Sequence, residues 1–383
     1  MREEADLHHY IWQLPDWTER LRWDSERCLA PLARVRLAQG RLLCRAAELG
    51  LELGQEIQAS TLVEDAIHTS AVEGEHLDPA SVRSSVARRL GLPSGGFTRT
   101  DRRVDGLVEI LVDATTRARD PLTAERLQGW QAALFPTGFS GIRRISTGCW
   151  RTGEEPMRVV SGLPGEEHVL FVAPPSEHVP EEMARLLQWF EQRKVPEEGI
   201  LFAAVAHLRL VTIHPFDDGN GRVTRAVTDM ALARDEGTST RLYSMSAQIM
   251  AERKRYYEVL ELTQRGDGEI TEWVLWFFAC LQRAMENAFE TFDVVMAKGR
   301  FWNHHGGVPL NDRQSKVMNR LLDAGPDGFV GGLSTRKYAS MTKTSRATAQ
   351  REIADLVEKG LLCRLPGGGR STAYAVRWLD RTP

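Results

Sequence analysis

Residues 214–225 read HPFDDGNGRVTR, which places one histidine, two aspartates, a Gly-Asn-Gly run and two arginines within a short span. The stretch before it, ILFAAVAHLRLVTI, is strongly apolar, and TRAVTDMALA regains helical character, so the motif is predicted to be a loop joining two helices. Gly219, Asn220 and Gly221 tolerate left-handed backbone angles. Their consecutive N–H groups, with the N-terminus of the second helix, are expected to form an anion nest, and phosphate is its natural guest. Arg222 and Arg225 lie three apart on one helix face, where two guanidinium forks would hold successive phosphates. Asp218 offers a hard oxygen ligand, and magnesium bound to substrate phosphates needs only one or two protein carboxylates. His214 is the loop's base at neutral pH. Together these parts assemble a nucleotide polyphosphate, a magnesium ion and a base, the requirements for moving a phosphate-containing group onto a hydroxyl. Singly, each has an ordinary reading: a structural histidine before proline, a common turn, solvent-facing arginines. Jointly, seven specified positions recur by chance at roughly one start in a billion.

The 383-residue chain has room for two or three domains, and 42% hydrophobic with 26% charged residues is ordinary for a soluble globular protein. MREEADLHHY has no basic region leading into an apolar stretch, and no later run reaches bilayer-spanning length, so a cytoplasmic protein without a membrane partner is expected. Cys28, Cys44, Cys149, Cys280 and Cys363 form no C-x-x-C pair, which speaks against a disulfide framework or zinc ribbon and for reduced packing residues. The net charge of -3 hides an asymmetry: from Asn311 onward 13 Lys and Arg face 7 Asp and Glu, a balance of +6, leaving -9 on the preceding residues. A small basic module therefore follows an acidic body. The stretch 296–310, with AKGRFWNHHGGVPL, lacks a sustained helical period and reads as a linker.

The body reads as helical. Leu32, Val35, Leu42, Ala46 and Leu49 follow a three-and-four spacing broken by Gln39, and similar periods run through DRRVDGLVEILVDAT, LTAERLQGWQAALF, PEEMARLLQWFEQR, ERKRYYEVLELT and ITEWVLWFFACLQRAMENAF. Thr123 and Thr271 sit where N-caps belong, and Pro180 suits a first helical turn. Between Ile145 and Pro175, MRVVSG and HVLFVAPP are short β-branched runs around the turn-rich LPGEE, the pattern of a β-hairpin.

HPFDDGNGR resembles the Fic motif, H-P-F-x-D/E-G-N-G/K-R, and Arg225 falls where that family often has a second arginine. The resemblance implies a mainly α Fic fold with a β-hairpin flap. It further implies an adenylyltransferase that moves AMP from ATP to a Ser, Thr or Tyr hydroxyl of a target protein. By resemblance His214 deprotonates that hydroxyl, Asp218 binds magnesium, and Asn220 with the loop N–H groups holds the α- and β-phosphates. Arg222 and Arg225 hold the β- and γ-phosphates, and Phe216 anchors the loop. Gly221 stands where members that transfer phosphate tend to carry lysine, which favours AMP transfer. Residues 157–175 resemble the flap that takes the target segment by strand addition. AERKRYYEVL resembles the segment closing over the nucleotide, making Tyr256 a nucleotide contact or, equally, a core tyrosine. IWQLPDWTERLRWD resembles the start of a helical domain that often precedes Fic domains.

A second stretch, HTSAVEGEHL at 68–77, carries Thr69, Glu73 and Gly74 in the order S/T-x-x-x-E-G/N and resembles the family's inhibitory motif. Thr69 and Glu73, four apart, would share one helix face. By resemblance Glu73 pairs with Arg225 and withdraws it from the γ-phosphate; otherwise the stretch is a solvated helix end.

The C-terminal residues read as helix (NDRQSKVMNRLLDAG), helix (LSTRKYASM), a longer helix capped by Ser345, and two short strands around a glycine-rich turn. That order resembles a winged helix-turn-helix. On DNA, Thr344, Ser345, Arg346, Thr348, Gln350 and Arg351 would face the major groove and Arg370 a phosphate, while many winged helices touch only protein. The expected domains are an N-terminal helical domain (1–95), a catalytic domain (96–295), the linker (296–310) and a winged helix (311–383). A homodimer is compatible with paired half-sites. Three function classes follow: an autoinhibited protein adenylyltransferase, an enzyme that removes AMP, and an ATP-sensing regulator acting through the winged helix, against which the intact His214 argues.

Overall fold

The computed structural model describes residues 10–47, 51–92, 101–161, 168–192, 199–325, 329, 331–366 and 372–379. The chain is mainly helical with a few short strands, and it divides into two compact units, Met1–Glu48 with Gln58–Asn287, and Leu49–Ile57 with Ala288–Pro383. No helix among the described residues is long and apolar enough to cross a membrane.

The helices that lie wholly or partly in the first unit start with α1 Ser25–Ala47, α2 Leu51–Val72, α3 Pro79–Arg89, α4 Arg102–Thr116 and α5 Ala124–Leu134, and Asp78, Asp101 and Thr123 cap the last three by accepting first-turn N–H groups. Two hairpins follow: β1 Phe139–Ser140 with β2 Arg143–Arg144, and β3 Arg158–Ser161 with β4 His168–Val172. Next come α6 Val179–Glu191, opened by Pro180, α7 Gly199–Ile213, α8 Asn220–Glu236, α9 Met245–Ala251, α10 Arg253–Gln264 and α11 Thr271–His305. Thr271 is not a cap. It is the first helical residue, and its hydroxyl accepts from the Asp24 N–H at 2.7 Å and donates to Glu269.

The centre of this unit is α7. It is apolar on nearly every face and buried throughout except at Leu201, with α8 and α6 packed against it. Each fully buried large apolar side chain there contributes about 1.5–3 kcal/mol. The 214–219 loop therefore leaves a fixed anchor. In the predicted hairpin, β3 pairs antiparallel to β4 with a register shift between Val159 and Val160; its LPGEE turn lies outside the described residues.

In the second unit the helices Asp312–Asp323, Thr335–Thr342 and Arg346–Glu358 precede β5 Leu362–Arg364 and β6 Tyr374–Val376, and Leu333 bridges Tyr374. Their core contains Phe301, Val317, Leu321, Tyr338, Ile353 and Leu356. Asn311 closes a capping box with Gln314, and Ser345 accepts the Thr348 N–H at 3.2 Å. Arg370 lies outside the described residues. The linker reading of 296–310 fails because α11 continues to His305. Phe301 is fully buried, and Lys298 pairs with Glu56 and with Asp323, so tertiary contacts sustain a helix that local periodicity does not announce. All five cysteines are free, but only Cys28 and Cys280 are buried; Cys44 and Cys149 are exposed and do not serve packing.

Candidate functional site

The chain leaves α7 through an unusual residue. His214 has φ of +51°, a left-handed conformation that histidine adopts more readily than branched residues but that still needs support. Arg151 supplies it: its Nε donates to the His214 carbonyl at 2.8 Å, its Nη2 to the Ile213 carbonyl at 3.5 Å and to the Pro174 carbonyl, and its N–H to Pro215 O at 2.8 Å. Burial pulls the Arg151 pKa down, with Asp217 opposing. Nothing in the sequence pattern marked this residue, since it acts on main-chain carbonyls and has no motif partner. The His214 ring is partly buried, and its Nδ1 lies 3.2 Å from the Val211 carbonyl, which can only accept. Nδ1 therefore carries the proton and Nε2 the lone pair. Burial pushes the pKa down to about 4, so the ring is neutral at pH 7.

Beyond His214, Phe216 is fully buried against Trp150, with ring centroids 5.1 Å apart. The Asn220 side chain is turned inward. Its Oδ1 accepts the Phe216 N–H at 2.9 Å and its Nδ2 donates to the Phe216 carbonyl at 2.7 Å. Both of its polar atoms thus brace the loop, so Asn220 can meet phosphate only through its main-chain N–H. The nest takes a different form as well. Only Gly219 is left-handed, at φ +88°, while Asn220 and Gly221 already belong to α8. The consecutive donors are accordingly the first-turn N–H groups of α8, which have no acceptor within the helix and no side-chain cap. Asp218 accepts the Gly219 N–H at 2.5 Å and the Ser140 hydroxyl, and its side chain is 40% exposed.

Facing that helix end is the end of α2. Gly74 takes φ +83°, the Gly74 N–H donates to Ala71 O and the Glu75 N–H to Ser70 O, both at 3.0 Å. This is a Schellman closure, and it reverses the chain so that the residues on either side of the glycine present carboxylates to α8. Glu73 Oε1 accepts from Arg225 Nη2 at 2.9 Å. Thr69, fully buried, takes the same guanidinium twice, through its hydroxyl and its carbonyl, each at 2.7 Å. Burial works against the Arg225 charge, but Glu73 opposes it and the net pKa direction is upward. Glu75, which sequence reasoning missed, accepts from Arg222 Nη1 at 2.8 Å. Gly221 leaves room for that carboxylate: a Cβ there would lie 2.0 Å from Glu73 Oε1 and would have to displace it. The Glu73 carboxylate therefore sits over the first turn of α8, where an anion would bind.

Beside His214 opens a solvent-facing cleft of about 530 Å³, open solvent included, lined by Glu73, Gly221, Tyr256, Tyr257 and Gln264 and by the hairpin residues Val159, Leu170 and Phe171. Tyr256 borders it but does not offer its hydroxyl. Thr228 donates to the Thr224 carbonyl at 2.8 Å and so accepts from His207 Nδ1 at 2.9 Å, leaving His207 Nε2 to accept from the Tyr256 hydroxyl at 2.9 Å. Burial drives the His207 pKa down to about 3, which keeps this chain neutral. The alternative of a core tyrosine describes the hydroxyl, while the residue also lines the cleft. Trp12 donates to the Val172 carbonyl at 2.7 Å and Arg265 to the Val169 carbonyl at 3.2 Å, fastening β4, while β3 has no second strand partner among the described residues.

Residues 121–232 match the family model described as the Fic/DOC family, and residues 10–92 match one described as a domain of unknown function, DUF4172. The chain is 32% identical over 120 residues to the uridine 5'-monophosphate transferase of Xanthomonas campestris, covering 30% of this chain and 21% of that protein. It is also 32% identical over 112 residues to the protein adenylyltransferase Fic of Drosophila melanogaster, covering 28% and 21%. It thus spans about a fifth of the length of these curated relatives. In fold it is similar to a Fic family protein from Desulfovibrio desulfuricans, with a TM-score of 0.52 at 19% identity, covering 92% of this chain and 97% of the other.

Proposed function

The chain belongs to the Fic/DOC family, and from that premise we propose that it is an autoinhibited protein adenylyltransferase moving AMP from ATP to a Ser, Thr or Tyr hydroxyl of a target or of itself. The observation that carries this reading is the meeting of a neutral His214, whose Nε2 lone pair is free of the Val211 bond, with the uncapped first turn of α8 and two arginines. In the step proposed, the target oxygen bonds to the α-phosphorus as the bond to the β-phosphate breaks. The hydroxyl proton passes to His214 Nε2 and pyrophosphate leaves. His214 needs no prior deprotonation at pH 7 because burial already holds its pKa at about 4. The α8 N–H groups and the arginines face the charge that develops on the phosphates.

Magnesium fits the donor set. Among the described residues no group of three or more acidic, histidine or cysteine side chains converges, but magnesium shared with phosphates needs only one or two carboxylates. Asp218, held by Gly219 and Ser140 and 40% exposed, offers one. The ion would neutralise phosphate charge there. Glu73 restrains the reaction by occupying Arg225 and the first turn of α8. The apolar flap wall and Gln264 would take the nucleoside, and β3 a target strand.

The test is intact-protein mass spectrometry after incubation with magnesium and ATP, run in parallel with UTP. An AMP-sized adduct strong on Glu73→Gly, weak on the unaltered chain and absent on His214→Ala is expected. A UMP-sized adduct instead would reassign the nucleobase, and no adduct on any variant would favour AMP removal or sensing. For the second unit we propose duplex DNA as partner, because Arg346, Gln350 and Arg351 are exposed along the helix Arg346–Glu358. Duplex affinity should weaken as salt rises; salt-independent binding would exclude this mode.

A further inference from the structure

The Glu73–Arg225 pair leaves the other motif arginine unexplained. Arg222 is 7% exposed, its Nη1 donates to Glu75 Oε2 at 2.8 Å, and its guanidinium lies 5.1 Å from the Phe135 ring centroid. Its second amino nitrogen is 3.7 Å from Asp218, and its buried Nε has no hydrogen-bond partner. A guanidinium fixed in place with one buried donor unspent is prepared for a further anionic oxygen. Glu75 holds it from a side chain 42% exposed, which can leave for solvent without unfolding the Schellman turn, since that turn is closed by main-chain bonds.

We infer that Glu75 is a specificity-determining residue of the phosphate site, setting its preference between nucleotides with one phosphate and those with two or more. The inference rests on the reading of the loop as a nucleotide site. One phosphate group is satisfied by the first-turn N–H groups of α8, once Glu73 is gone. A second phosphate has Arg222 to turn to, and there it meets the Glu75 carboxylate. Glu73 and Glu75, flanking Gly74, thus stand on two different phosphate subsites, and removing one does not clear the other.

The experiment uses the full chain carrying Glu73→Gly, with and without Glu75→Gln or Glu75→Ala, and calorimetric titration with AMP, ADP and ATP in magnesium. Both Glu75 substitutions should tighten ADP and ATP by roughly three- to tenfold and leave AMP unchanged. In a chain that also carries Arg222→Gln, that gain should vanish. Equal gains for all three nucleotides, or a gain that survives Arg222→Gln, would mean a diffuse loss of negative charge and overturn the inference. So would ADP and ATP affinities indifferent to Glu75, with the nucleotide reading left standing. If the Glu73→Gly chain bound none of the three, the nucleotide reading would fall and this inference with it.

Discussion

Replacing Glu73 by glycine should tighten ATP binding by a factor that the geometry sets. Polyphosphate reaches Arg225 only by breaking the 2.9 Å contact between Arg225 Nη2 and Glu73 Oε1. The guanidinium is 3% exposed and the carboxylate 31%, so the pair is largely desolvated on one side. An exposed ion pair contributes at most about 1 kcal/mol, whereas a hydrogen bond between charged groups with a buried partner contributes about 1.5–3 kcal/mol. At 1.4 kcal/mol per decade the latter predicts roughly 10- to 150-fold tighter ATP. The gain should not be eroded by reorganisation, because Thr69 still holds Arg225 through its hydroxyl and carbonyl, both at 2.7 Å. Glu73→Gln, which keeps the acceptor but loses the charge, should fall between. Calorimetric titration of the three chains with ATP and magnesium measures this, and AMP-adduct yield should follow the same order. Equal ATP affinities in all three would refute the claim that Glu73 obstructs the phosphate site.

Three further outcomes are expected. Arg151→Leu should lower transfer about 10- to 100-fold in the Glu73→Gly background with little change in ATP affinity, since Arg151 supports the backbone of the base and not the phosphate site; a matched loss of affinity would place its role elsewhere. Stability should fall with acidity: His207 and His214 are neutral in the fold with pKa values of about 3 and about 4, below the usual 6.5. Their contribution is complete above pH 6.5 and is lost as the unfolded chain takes up protons below it, costing about 2 kcal/mol per residue at pH 5. Urea midpoints at pH 7 and 5 should show this, with a flatter dependence for His207→Gln, and an unchanged dependence in that variant would refute the assignment. Gly221→Ala puts a methyl 2.0 Å from Glu73 Oε1 and must expel the carboxylate. Its cost in stability should shrink in the Glu73→Gly background by about 1 kcal/mol, and additive effects would show that the two do not touch.

The loop and its helices were legible because their signals are local: an apolar run without polar interruption, glycines at a joint, a base and cations at fixed spacing. What sequence could not give is the direction in which a polar side chain turns. Asn220 serves Phe216 of its own loop, and Tyr256 serves His207, 49 residues away. Arg151 was invisible because main-chain carbonyls leave no trace in composition. The Glu73–Arg225 contact could be read from the spacing of Glu73 to Thr69 and from the family pattern, whereas Glu75 could not, because its partner lies 147 residues away and is fixed by a chain reversal at Gly74. The stretch 296–310 was misread for the same reason in reverse, since Phe301 and Lys298 find partners that no helical period encodes.

A site shaped for polyanions poses a folding problem before it poses a catalytic one. Two guanidiniums buried to 7% and 3% exposure with no counter-charge would cost several kcal/mol each. Carboxylates from the end of α2 remove that cost, so the proposed restraint would reside in the same contacts as stability. Release then requires an equivalent negative charge in their place, which polyphosphate provides and a neutral ligand does not. The rest of α2 is held by contacts that involve neither carboxylate. Asp65 accepts the Ser244 hydroxyl, Thr69 is fully buried on Arg225, and Arg253 Nε holds the Val72 carbonyl at 2.8 Å. Only the side chains of Glu73 and Glu75, partly exposed and beyond the last helical residue, are free to go. On the restraint proposed above, release is expected to be a rotamer change at a turn of three residues that moves no helix, so hydrogen exchange of α2 should be the same with and without ATP.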